Sequence, residues 1–299
     1  ITPAKIELDI RFEDKDILII NKELHLKMHV FGRYGITMFA ISGIDIALWD
    51  IVGKIENKSI ADLLGGLRVN SLEAYASLFL YDDPEATAIV SEKAVNEGYK
   101  IIKLHENKMP PILSSRKIIG DCPLMVDVNC VWSETDMEQI ISPLKEAKLY
   151  WLEEPLWPPE NYNGLSKLRN KGFKIASGEN ACTSYQFKEI INNNASDILQ
   201  PSVTKVGGIS EIIKITELEQ KNSRVVPHSP YFGPGFMATL QLIGSIAPDS
   251  EIERLYVDLK ADLYHGASNI DSKGNISIPN GPGLGMEPNL EIIEKYSVK

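Results

Sequence analysis

With 299 residues, 43% hydrophobic and 24% charged, the chain is long enough for one large domain or a large and a small one, and it has the composition of a globular protein. A net charge of −10 with no basic run argues against nucleic acid as a partner, and no stretch approaches the roughly 18 uncharged apolar residues of a membrane span. Three cysteines, Cys122, Cys130 and Cys182, without CxxC spacing suit a reducing compartment and a cytoplasmic location.

In chain order, residues 37 to 64 form a long amphipathic pattern interrupted by Gly43 and Gly53, which predicts a helical pair. From about residue 72, short β-branched runs alternate with helical patterns. The predicted strands are 72 to 78, 99 to 105, 123 to 129, 149 to 155, 174 to 180, 197 to 202, 224 to 229 and 252 to 257. The segments between them, such as DPEATAIVSEKAVNEG, repeat apolar residues at three- and four-residue spacing. Eight such strands joined by helical crossovers imply a parallel α/β sheet covered on both faces. From about 262, turn signals (GNISIPNGPGLG) predict a hairpin followed by a loop. The expected division is a capping segment over 1 to 68, a barrel over 69 to 261, and a segment over 262 to 299 that returns to the cap.

The barrel is favoured over an open sheet because strand after strand ends on a polar residue. Lys103 and His105, Asp127 and Asn129, Glu153 and Glu154, Glu179 and Asn180, Ser202 and His228 all stand at such ends. In a barrel these ends share one mouth. Asp127, Glu153 and Glu179 recur at intervals of 26 residues, one strand-helix unit each. Three carboxylates on adjacent strands repel by roughly 1 to 4 kcal/mol per pair, so a hard dication, Mg2+, is the expected compensation. Protonation of one acid is the alternative. Asn129 and Glu154 are expected to orient the ligands by hydrogen bonds. Lys103 and His105, two apart on one strand, project the same way, and His228 lies across the mouth. A cation between basic groups on two sides suits removal of the proton next to a carboxylate.

The stretches GIDIALWDIVGK, IIKLHE, MVDVN, WLEEP, SGEN, QPSVTKVGGISE, PHSPYFGPG, IERLY and NGPGLG, in this order across residues 30 to 290, resemble the enolase superfamily, specifically the mandelate racemase and muconate lactonizing enzyme group. The resemblance implies a modified TIM barrel, (β/α)7β, an α+β capping domain built from both termini, one Mg2+ and an enolate intermediate. It places the metal ligands on Asp127, Glu153 and Glu179. The family's two-lysine motif falls on Lys103 and His105, with histidine where the base usually stands, so that either residue is a candidate base. The family's catalytic histidine falls on His228, but its usual aspartate partner is Ser202 here, which predicts an imidazole without a carboxylate partner, suited to protonating a leaving hydroxyl. Glu253 matches the residue that hydrogen-bonds the substrate carboxylate, and Asn129 and Ser202 are further substrate-binding candidates. Only about 36 residues precede ITMFAISGID, so the lid over the mouth is expected to be abbreviated.

The expected activity is dehydration of a sugar acid, a small carboxylate substrate, to a 2-keto-3-deoxy acid. A racemase, epimerase or cycloisomerase is the alternative, with Tyr231, Phe232 and Trp157 leaving room for a less polar acid. A non-catalytic relative is a third reading. The family resemblance further implies a homo-oligomer, often an even-numbered ring.

Overall fold

The computed structural model describes residues 16–218 and 223–298. Helix α1 (Ile17–Met28) is capped by the Asp16 carboxylate and buries Ile20 and Leu24. After a 3-10 turn at His29–Phe31 comes α2 (Ile36–Glu56), then α3 (Ile60–Leu63), which a capping box between Ser59 and Asp62 starts. The expected helical pair over 37 to 64 is therefore one long helix and a single turn. Gly43 and Gly53 do not break α2. A Cβ on Gly53 would lie 2.7 Å from the Gly283 Cα, so this glycine lets the C-terminal loop lie against the helix. Asn57, in the left-handed region at φ 53°, ends it.

By length and apolarity α2 would span a membrane, contrary to the expectation from the sequence. Its inner face, however, buries Met38, Ile41, Ile46 and Trp49 together with the carboxylate of Asp45, which holds Asn21 and Ser210 by hydrogen bonds. The outer face leaves Ile36 and Ile55 exposed.

Eight parallel strands follow, separated by seven helices. They are β1 (Ser71–Ser77), α4 (Pro84–Asn96), β2 (Ile102–Leu104), α5 (Met109–Ile119), β3 (Leu124–Asp127), α6 (Glu134–Glu146), β4 (Trp151–Glu153), α7 (Tyr162–Asn170), β5 (Ile175–Ser177), α8 (Ser184–Asn192), β6 (Ile198–Leu199), α9 (Ile209–Thr216), β7 (Arg224–Val225), α10 (Pro234–Ile246) and β8 (Ile252–Leu255). Their order in the sheet is β7-β6-β5-β4-β3-β2-β1-β8, a curled (β/α)7β arrangement. Strand alternation sorts the side chains. Leu104, Val126, Leu152 and Leu199 face the helices, while Tyr75, Ile101, Met125, Trp151, Ile198 and Val226 fill the interior. Between β7 and β8, side chains take the place of a backbone ladder among the described residues. Arg224 pairs with Glu251 at 2.8 Å, Ser250 donates to the Val225 carbonyl, and the Ser229 N–H donates to Glu253 at 2.9 Å.

The C-terminal segment forms the expected hairpin. Its strand β9 (Asn275–Ser277) pairs antiparallel with β1, and Ile270 bridges Ile276. The loop that follows exchanges backbone bonds with the start of α3, through Gly283 to Lys58 and Ile60 to Gly283. A final helix, α11 (Leu290–Tyr296), stands where a loop was expected.

Candidate active site

One interior layer above Ile101, Met125 and Trp151, alternation turns Lys103, Asp127 and Glu153 to the barrel axis. Carboxylate oxygens of Asp127, Glu153 and Glu179 lie within 4.8 Å of one another, so the spacing of 26 residues does bring the three acids together. Lys103 is wholly buried among them. Its Nζ is 2.8 Å from Glu153 Oε1, 3.5 Å from Asp127 Oδ2 and 2.7 Å from Glu253 Oε1. Burial alone would lower its pKa, but the surrounding carboxylates outweigh burial and hold it well above the usual lysine value. Lys103 is an ammonium ion.

His105 reaches the same carboxylate, with Nε2 3.2 Å from Asp127 Oδ2. Its Nδ1 contacts the Leu78 carbonyl, which only accepts, so Nδ1 carries the proton and Nε2 is the chemically variable atom. Burial lowers its pKa, and the bond to Asp127 more than reverses that. From beyond β7, five strands along the sheet from β2, His228 Nε2 comes within 2.9 Å of Glu179 Oε2. The imidazole expected to lack a carboxylate partner has Glu179. Ser202, in the position of the missing aspartate, bonds Thr204 and Tyr231 instead, and the buried His228 Nδ1 has no partner among the described residues.

The acids do not titrate alike. Burial raises Glu153 to about 7, with Lys103 only partly offsetting it. At Glu179 burial acts the same way but is outweighed by His228 and Lys205, and the value falls to about 2. Glu253 also falls to about 2, burial again being outweighed, here by Lys103 and His228. Asp127 is held below the usual range by Lys103 and His105 despite complete burial. Four carboxylates thus face one permanently charged ammonium, and the trio offers only hard oxygen donors. These residues fit a dication.

Supporting bonds fix the set. The Trp151 indole N–H donates to Glu153 Oε2 at 2.9 Å, and the Asn129 N–H donates to Asp127 Oδ1 at 2.9 Å. Asn129 itself is exposed, in the left-handed region at φ 49°. Glu253 spends both oxygens on protein, accepting from Ser77 Oγ and the Ser229 N–H besides Lys103. Glu154 lies just beyond the end of β4 and is not one of the trio. It accepts from the Gly178 N–H at 2.7 Å and from the Cys130 thiol, and so braces the turn that carries Glu179. Burial, with Glu179 nearby, lifts its pKa to about 8.

Two residues not singled out in the sequence belong to the same layer or beside it. Lys205, within QPSVTKVGGISE, lowers Glu179 electrostatically. Gln200 is fully buried two residues beyond the inward-facing Ile198, and neither end of its amide has a partner. The alternation Ile198, Gln200 was the available signal.

A parallel barrel whose successive strand ends gather buried acids, with cations facing them, defines an enzyme built around a charged mouth. The chain matches the Enolase C-terminal domain-like family over residues 86–292, and the mandelate racemase / muconate lactonizing enzyme N-terminal domain over residues 3–65. It belongs to the mandelate racemase and muconate lactonizing enzyme group of the enolase superfamily. It is 31% identical over 289 residues to the D-galactarolactone cycloisomerase of Agrobacterium fabrum, an alignment covering 89% of this chain and 75% of the relative. To the arabinonate dehydratase of Saccharolobus solfataricus it is 30% identical, with 90% and 75% covered. The 3,6-anhydro-D-galactonate cycloisomerase of Zobellia galactanivorans superposes with a TM-score of 0.85 at 28% identity, over 95% of this chain and 84% of that one.

Proposed function

We propose that this protein is a Mg2+-dependent dehydratase of a sugar acid, removing the proton next to the carboxylate and expelling the β-hydroxyl to leave a 2-keto-3-deoxy acid. The observation that carries the reading is the convergence of Asp127, Glu153 and Glu179 within 4.8 Å, flanked by His105 on one side and His228 on the other. Mg2+ held by these three acids supplies positive charge against the enediolate that proton removal creates.

The chain's own groups divide the rest. Lys103, its protons directed to Glu153, Asp127 and Glu253, is a fixed positive charge rather than the base. His105 is the base. Its Nδ1 is committed to Leu78, so the ring presents Nε2 to the C2–H bond. The electron pair left at C2 forms the C2–C3 double bond, the C3–O bond breaks, and protonated His228 gives its proton to the departing hydroxyl, releasing water. The enol then tautomerises to the keto acid. Glu253 serves by holding Lys103 and the β7–β8 seam. Asn129, exposed just beyond β3, is assigned to a substrate hydroxyl; Ser202, fully buried and bonded to Thr204 and Tyr231, is not. Loss of water across C2 and C3 of such an acid leaves a 2-keto-3-deoxy acid, the likeness to a dehydratase supports this reading, and an imidazole on each side together with the likeness to a cycloisomerase makes cycloisomerisation the runner-up.

Purified protein with Mg2+, offered a panel of five- and six-carbon aldonic and aldaric acids, should release a 2-keto acid from at least one, and EDTA should stop it. In D2O, deuterium returning to C2 of recovered substrate without keto-acid release would replace dehydration by isomerisation. No metal-dependent change in any acid would reject both.

A further inference from the structure

A concavity of about 780 Å3 lies away from the barrel mouth, between α1 on one side and α8 and α9 on the other. We propose that this groove binds a small organic anion carrying two phosphate groups, of the sugar bisphosphate type.

The chain carries a net charge of −10, yet four permanent cations line this one groove. Lys22 of α1 stands on one wall, Lys188 of α8 and Lys214 of α9 on the other, and Arg33, from the loop before α2, reaches across to the Tyr185 ring of α8. Two carboxylates also line it. Glu211 is committed, its Oε1 accepting from the Ser184 N–H at 2.8 Å and hydroxyl at 2.6 Å, its Oε2 meeting Lys214 at 2.8 Å. Glu217 is exposed. Lys22, Arg33 and Lys188 are exposed and form no ion pair among the described residues, so each can meet an anionic ligand.

Cations on opposite walls ask for negative charge at two separated points, which a lone carboxylate cannot offer and a bisphosphate does. Between the walls the lining is suited to an organic body. Leu18 and Leu26 are about half exposed there, and the Tyr185 ring, 70% exposed, carries the Arg33 guanidinium 5.9 Å from its centre. His25 lies in the groove lining, its Nε2 buried without a partner close to Gly207. A long nucleic acid is disfavoured because its flanking charges would meet an acidic surface. None of these residues takes part in the chemistry assigned to the mouth.

The test is isothermal titration calorimetry of the full-length Mg2+-loaded chain with fructose 1,6-bisphosphate as probe. Native protein should bind one equivalent, more weakly at higher salt. The double variant Lys22→Glu, Lys188→Glu should weaken binding by about tenfold or more, and Lys117→Glu, an exposed charge reversal on α5, should leave it within about twofold. Absence of binding, or equal weakening in both variants, would overturn the site. Sedimentation velocity adds one further outcome: if the double variant breaks up an assembly and native protein ignores the probe, the groove belongs to a second copy and the proposal fails.

Discussion

Lys103 of β2 and His105 just beyond its end meet the same carboxylate oxygen, yet their surroundings give them opposite chemistry. Three carboxylates hold Lys103 charged, whereas His105, its Nδ1 committed to Leu78, has Nε2 against the one carboxylate of Asp127. His105→Gln should therefore lower kcat by roughly 10²- to 10⁴-fold while dication binding persists; a variant with near-native kcat would return the role of base to Lys103. Lys103→Met leaves Asp127, Glu153 and Glu253 without their buried counterion. In metal-free buffer it should lose about 3 to 5 kcal/mol in urea unfolding, and added Mg2+ should restore part of that. A loss under about 1 kcal/mol would show that the acids are compensated by something else. The sequence displayed these residues but not their division of labour. Lys103 and His105 share a strand face, and only the third carboxylate, Glu253 from β8 on the other side of β1, decides which is locked. Glu154 follows the end of β4 with φ 41°, and its side chain goes to the Gly178 N–H rather than to the trio.

At the scale of elements, the contact between α2 and the loop leading into α9 is the best defined joint outside the barrel. Asp45, buried in α2, accepts from Asn21 of α1 at 2.8 Å and from the Ser210 N–H at the start of α9 at 3.0 Å. A Cβ on Gly208 would fall 2.3 Å from Asp45 Oδ1, so only glycine permits the approach. Burial, resisted by these hydrogen bonds, raises Asp45 to about 6. Because the folded-state value lies above the unfolded one, the proton is bound more tightly in the folded protein. The stability this gives is full below the ordinary carboxylate range and is lost as pH rises to about 6. Asp45→Asn cannot titrate, so between pH 4 and 6.5 its stability should gain on native protein by about 2 kcal/mol in urea unfolding, whatever constant offset the altered bonding brings. Parallel curves would mean that Asp45 titrates in the folded protein as it does in the unfolded chain. None of this joint was legible beforehand, because Gly43 and Gly53 read as helix breakers and nothing in the sequence pairs residue 45 with residue 208. The helix α11 was hidden for another reason. It buries no residue, so it leaves no apolar period to read.

For the molecule as a whole, the barrel was the legible part. Seven of the eight strands fall inside their expected intervals and β1 begins one residue early, since each is an apolar run ended by a polar group and the intervals between them are whole strand-helix units. The segment ITPAKIELDIRF, on which the expectation of a shortened lid rests, lies outside the described residues. The cationic groove escaped notice because its charges come from α1, the following loop, α8 and α9, and form no cluster along the chain. Distant residues meeting is also what makes the mouth, and there the account is most exposed to test. Titration of the metal-free chain with Mg2+ in a calorimeter, beside Glu179→Gln, tests it most directly. The expected result is one ion per native chain, bound at least about tenfold more weakly by the variant. Native protein that takes up no ion, or a variant that binds it equally well, would contradict the claim that Asp127, Glu153 and Glu179 form a single dication site.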